Sequence, residues 1–129
     1  MDAHEFEALV ADAGFGSVPE RYRGLISNAA LTIEDDVSEE MRRDMGLRED
    51  ETLLGLYQGV PLTARGDGYG IGGSLPDKIT LFRLPILEAA RQDGVPVRRV
   101  IDETVWHEVA HHFGLDEDAV RRREAERGR

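Results

Sequence analysis

The chain has 129 residues, 40% hydrophobic and 33% charged, with a formal net charge of −10 and no cysteine. That length suits one soluble domain, residues 1–129, with its own core, and the acidic balance argues against nucleic acid and anionic membrane surfaces as partners. Without cysteine there are neither disulfides nor thiolate ligands, so a metal would be held by His, Asp or Glu.

Phe6, Leu9, Val10 and Ala13 recur at helical spacing and predict an amphipathic helix over 2–13, stopped by Gly14 and Gly16. Ser17-Val18-Pro19-Glu20 has the form of a capping box with proline in the first turn, opening a helix to Ser27. Ala30 to Ile33 reads as a first strand, stopped by Glu34-Asp35-Asp36, and residues 38–46 as a short surface helix with Met41 and Met45 on one face. After a polar turn at 48–51, the nearly continuous apolar run over 52–60 reads as a covered strand, limited by Pro61.

Residues 64–76 are irregular and glycine-rich. Gly68 to Gly73 matches G-x-G-x-x-G, but Pro76 and a strand follow, so a dinucleotide site is rejected in favour of a loop. Tyr69 in that loop is a candidate for oxyanion support, with a solvent-facing loop tyrosine as the alternative. Lys78 to Arg83 is the third strand, Pro85 to Gln92 a helix closed by Asp93-Gly94, and Pro96 opens a helix over 97–113. Gly114 sits where a left-handed C-terminal residue belongs, and Asp116 can cap a last helix over 117–126. No run approaches the roughly 18 apolar residues of a membrane span. The acidic N-terminus lacks an apolar signal region, so a cytoplasmic location is expected.

The helix over 97–113 carries His107-Glu108-Val109-Ala110-His111-His112-Phe113-Gly114. His107 and His111 fall one turn apart on the same side, a spacing at which two imidazoles can share one zinc. Glu108, next to the first, can then reach a water activated by the ion. The helix is apolar almost all round and is expected to be central and buried, with Ile101, Val105, Val109 and His112 opposite the two ligands. Glu103, one turn before His107, could orient that imidazole or pair with Arg99. Any of Asp116, Glu117 and Asp118 could supply the third ligand, and spacing favours Glu117.

At these residues the chain resembles the zincins, and more narrowly the minimal zincin-like metallopeptidases, small single-domain proteins of bacteria. Thr52 to Arg65, Leu75 to Arg83 and Val97 to Ala119 carry the resemblance, most specifically Gly59 to Thr63 and His107 to Gly114. It implies an α+β, zincin-like fold: a small mixed β-sheet packed with helices, the motif helix central and near the C-terminus. It further implies Zn2+ held by His107 and His111, and a catalytic role for Glu108. The family's third ligand is an aspartate three residues after the glycine; here that position is Glu117, one methylene longer.

No methionine follows the motif, so no Met-turn is expected, and few residues follow His111, so the cleft is expected to come mainly from upstream segments. The expected activity is hydrolysis of a peptide or protein substrate, aligned along a strand edge at 52–60 or 78–83. The alternative is a zincin-derived module that grips a peptide or protein without cutting it, with or without metal; a structural zinc site filled entirely by protein is a third reading. Glu108 favours the first, because a pure binder has no evident need of it. An exposed sheet edge on so small a domain also allows a homodimer.

Overall fold

A computed structural model of the chain describes residues 1–59 and 77–115. Expectations that fall on 60–76 and 116–129 lie outside the described residues. These are the glycine-rich stretch with Tyr69, the last helix, and the carboxylates Asp116, Glu117 and Asp118.

Helix α1, Ala3–Ala13, opens on Asp2, whose side chain accepts the Glu5 N–H at 2.8 Å and so satisfies one of the unpaired amides of the first turn. It buries Phe6, Val10 and Ala13, the face that the periodicity predicted. The next segment departs from expectation. Glu20–Ile26 is a 3₁₀ helix whose N-cap position is taken by extended Pro19 rather than by Ser17. The N–H groups of Gly16 and Val18 donate to Ala13 and Phe15 carbonyls, so Ser17 belongs to the turn that closes α1 and is itself buried.

Strand β1, Ala29–Glu34, and helix α2, Glu39–Met45, follow, the latter capped by the Ser38 hydroxyl on the Met41 N–H. Strand β2, Gly55–Gln58, is shorter than the apolar run suggests. Its antiparallel partner β3, Asp77–Phe82, passes directly into helix α3, Arg83–Asp93, so residues 52 and 53 have no extended backbone to pair with. Pro85 lies inside the first turn of α3, where a missing N–H leaves no helical bond unmade. The Leu84 N–H donates to the Asp35 carbonyl instead.

The three strands form one mixed sheet in the order β1-β3-β2, with β1 parallel and β2 antiparallel to β3. Strand β3 is therefore central and cannot offer an edge to a peptide. Among the described residues strand β2 lies at one margin of the sheet, and helix α4 packs against it as well as against β3.

Helix α4, Val97–His112, packs against α1, α3, β2 and β3. Ile101, Val105 and Val109 are completely buried, alongside Phe6, Ile79, Leu81 and Ile86. Trp106 is also buried, with Tyr22 stacked on it at 5.7 Å; truncating such a core aromatic costs about 3–5 kcal/mol. The helix ends on Gly114 at φ 64°, with the Leu115 N–H on the Ala110 carbonyl and the Gly114 N–H on that of His111. This is the left-handed stop expected from the sequence, and Leu115 packs back on the core. No described helix is long and apolar enough to cross a membrane.

Candidate active site

The motif helix is central but not buried all round. Its column 101-105-109 faces the core, whereas His107 and His111 are exposed to solvent. Between the two runs the column 104-108-112, and this one meets strand β2. A Cβ on Gly55 would lie 2.7 Å from Thr104 Cγ2, the Tyr57 N–H reaches Glu108, and a Cβ on Gly59 would lie 2.8 Å from His112 Cε1. Two strand residues advance about 6.7 Å and four helix residues about 6.0 Å, so the two elements stay in step over three contacts.

The pairing of β2 explains which backbone groups face the site. The Phe82 N–H donates to the Leu54 carbonyl, which turns Leu54, Leu56 and Gln58 toward β3. By alternation Gly55, Tyr57 and Gly59 present their backbone groups to the outer edge. The Tyr57 N–H accordingly donates to Glu108 Oε1 at 3.0 Å.

Glu108 is half-buried, with one side toward β2 and the other toward the exposed histidines. Burial raises its pKa above the ordinary 4.5, opposed in turn by the Tyr57 N–H and by the neighbouring His111, His107 and His112. A carboxylate made more basic in this way is a better proton acceptor near neutral pH.

The rings of His107 and His111 stand 6.4 Å apart, inclined by 76°. Two imidazoles on one tetrahedral zinc, each bound through nitrogen at roughly 2 Å, have ring centres about 5 Å apart. The rings stand about 1.4 Å wider than that, and both histidines are exposed. Two imidazoles one helical turn apart on an exposed face are of the donor type that holds a metal ion. Among the described residues no third metal-binding side chain joins them, and the three carboxylates named for that position lie outside the described residues. Glu103 is paired with Arg99 at 3.0 Å, the second of its two expected roles.

His112 lies next in sequence to His111 but turns to the sheet, where its ring stacks on Tyr57 at 3.9 Å and 15°. Tyr57 in turn donates its phenol to Asp77 Oδ2 at 2.7 Å, and Phe113 meets its ring edge-on at 5.7 Å. Sequence reasoning singled out neither Tyr57 nor Asp77. A signal was present in Gly55-Leu56-Tyr57-Gln58-Gly59, because glycines at strand period mark a face that another element approaches closely.

No curated protein matches the chain. A family model does, that of the zincin-like metallopeptidases, over residues 26–127, a span that includes β1 to β3, α4 and the motif. With most of its length matched and an α+β fold of the expected kind, the chain belongs to the zincin-like metallopeptidase family.

Proposed function

We propose that this chain is a zinc-dependent peptidase in which His107, His111 and a carboxylate from 116–118, by spacing Glu117, hold the ion and Glu108 is the general base. The observation that carries this reading is the placement of Glu108: half-buried, of raised basicity, beside two exposed histidines and tied at one oxygen to the Tyr57 N–H. Bound zinc supplies Lewis-acid polarisation of a carbonyl and an acidified water.

The protein's own contribution follows from Glu108. With Oε1 engaged by Tyr57, Oε2 is the atom that takes a proton from the attacking water and returns it to the leaving amine. The outer edge of β2 runs beside this carboxylate, and its backbone groups other than the Tyr57 N–H, which Glu108 engages, can hydrogen-bond an extended peptide. A peptidase family suggests peptide or protein substrates, in keeping with that edge.

Zinc stoichiometry of the wild type and of His111→Ala, followed by peptide cleavage with Glu108→Ala as control, tests the reading. One zinc per wild-type chain, lost in His111→Ala, with cleavage abolished in Glu108→Ala, is the expected result. A metal-replete protein without zinc would overturn it. Zinc binding with no cleavage of any extended peptide would favour the non-catalytic binding module.

A further inference from the structure

Tyr57 is fixed at both ends. Its ring lies flat on His112 at 3.9 Å, its phenol donates to Asp77 Oδ2 at 2.7 Å, and it stands opposite Ile79 in the sheet register. Tyr57 and Asp77 are both buried, each 8% exposed, so the phenol–carboxylate bond forms where water competes poorly. Gly59 leaves room for the arrangement, since a Cβ there would strike His112 at Cε1 and Nε2. The backbone N–H of this immobilised residue is the group bonded to Glu108 Oε1.

We propose that Asp77 and His112 are positioning residues for Glu108, acting through Tyr57; this rests on the reading of Glu108 as general base. The ring and the N–H of Tyr57 are joined through Cα, so a shift of the ring displaces the donor that sets one carboxylate oxygen. Fixing Oε1 leaves Oε2 as the proton-accepting atom and holds it at a constant distance from the two histidines. The motif's third histidine thereby acquires a role distinct from its neighbour's: His111 turns to solvent and His112 to the strand. Productive geometry at a base is sensitive to displacements of about 1 Å, which can cost on the order of a hundredfold in rate.

The test uses the full chain and two independent readouts. Amide hydrogen exchange at residue 57 reports the N–H to Glu108 bond, and the Ile79 amide on the neighbouring strand reports the sheet. In His112→Ala and in Asp77→Asn, exchange at residue 57 should quicken by about tenfold or more while that at Ile79 stays within about twofold. His112→Phe, which keeps a flat ring, should return exchange at residue 57 to near the wild-type rate. On a cleaved peptide, His112→Ala should lower kcat by about ten- to a hundredfold with KM nearly unchanged.

Exchange at residue 57 unchanged in both variants, or quickened equally at residues 57 and 79, would overturn the proposal; so would failure of His112→Phe to restore it. If His112→Ala does not fold, Asp77→Asn carries the measurement. Should the wild type cleave no peptide, the peptidase reading falls, and the exchange ratio still decides the positioning role.

Discussion

Tyr57 donates its backbone N–H to Glu108 Oε1 at 3.0 Å, joining strand β2 to helix α4 across 51 positions of sequence. Glu108 is thereby tied to the sheet while its sequence neighbours turn elsewhere, His107 to solvent and Val109 into the core. An exposed helical glutamate would sample several rotamers; one held at a strand edge is preorganised, and preorganisation is what distinguishes a base from a surface carboxylate.

Replacing Glu108 by Gln keeps an oxygen acceptor for the Tyr57 N–H and removes the carboxylate proposed as the base. Peptide cleavage should fall by about 10²–10⁴-fold, the usual range for loss of a general base. Zinc content, measured on the same preparation by elemental analysis, should be unchanged because His107 and His111 are untouched. A fall in both would mean that Glu108 serves the metal directly.

The same residue affects stability in the metal-free protein. Its folded pKa lies above the ordinary 4.5, so between those two values the folded chain binds more protons than the unfolded one. Stability then decreases as pH rises through that window, and the loss is complete above the folded pKa. Glu108→Gln does not titrate. With chelator present it should melt a few degrees above wild type near pH 7, at about 2–8 °C per kcal/mol, the span for domains somewhat larger and somewhat smaller than this one. The margin should vanish below pH 4.5, where both side chains are neutral. Melting curves at several pH values check the sign; a wild type more stable than the variant at neutral pH would refute it.

Much of the fold was legible because its signals are local. The period of Phe6, Val10 and Ala13, the left-handed glycines at 94 and 114, and the spacing of His107 and His111 each follow from one segment alone. What escaped depends on a second segment. The apolar run from 52 reads as a long strand until β3 turns abruptly into α3 at Arg83 and removes its partner. A helical wheel puts His112 in the Ile101 column, but at the last turn of α4 the neighbour on that side is the ring of Tyr57, so His112 stacks there and stays exposed. Asp77 had no signal of its own, since a carboxylate at a strand start ordinarily faces water, whereas here it is buried and accepts the phenol of Tyr57, a residue distant in sequence.

Metal should stabilise the folded chain by mass action. At a free zinc concentration one hundred times the dissociation constant the gain is about 2.7 kcal/mol. Thermal unfolding should therefore shift upward with zinc and return on adding chelator. His107→Ala and His111→Ala should each abolish the shift while melting near the metal-free wild type, because both rings are exposed and neither belongs to the core. A variant that kept the full zinc shift would show that its histidine is no ligand.

At Gly55 helix α4 packs close on strand β2, one turn of helix and two strand residues from the point where Glu108 meets Tyr57. A Cβ on Gly55 would lie 2.7 Å from Thr104 Cγ2, 3.2 Å from the Thr80 carbonyl oxygen and 3.4 Å from Leu81 Cδ2. Thr104 cannot simply rotate away, because its hydroxyl donates to the Val100 carbonyl at 2.7 Å and a β-branched side chain in a helix has few rotamers. Gly55→Ala should accordingly destabilise by about 1–3 kcal/mol, the range for an overpacked core. Thr104→Ser removes the methyl and keeps the hydroxyl, so Gly55→Ala with Thr104→Ser should recover part of the loss, leaving the contact with the Thr80 oxygen. A coupling energy near zero in that double-mutant cycle, read by denaturant unfolding, would mean that the helix does not press on the strand at this point. The same variants would then be expected to leave the amide of Tyr57 undisturbed.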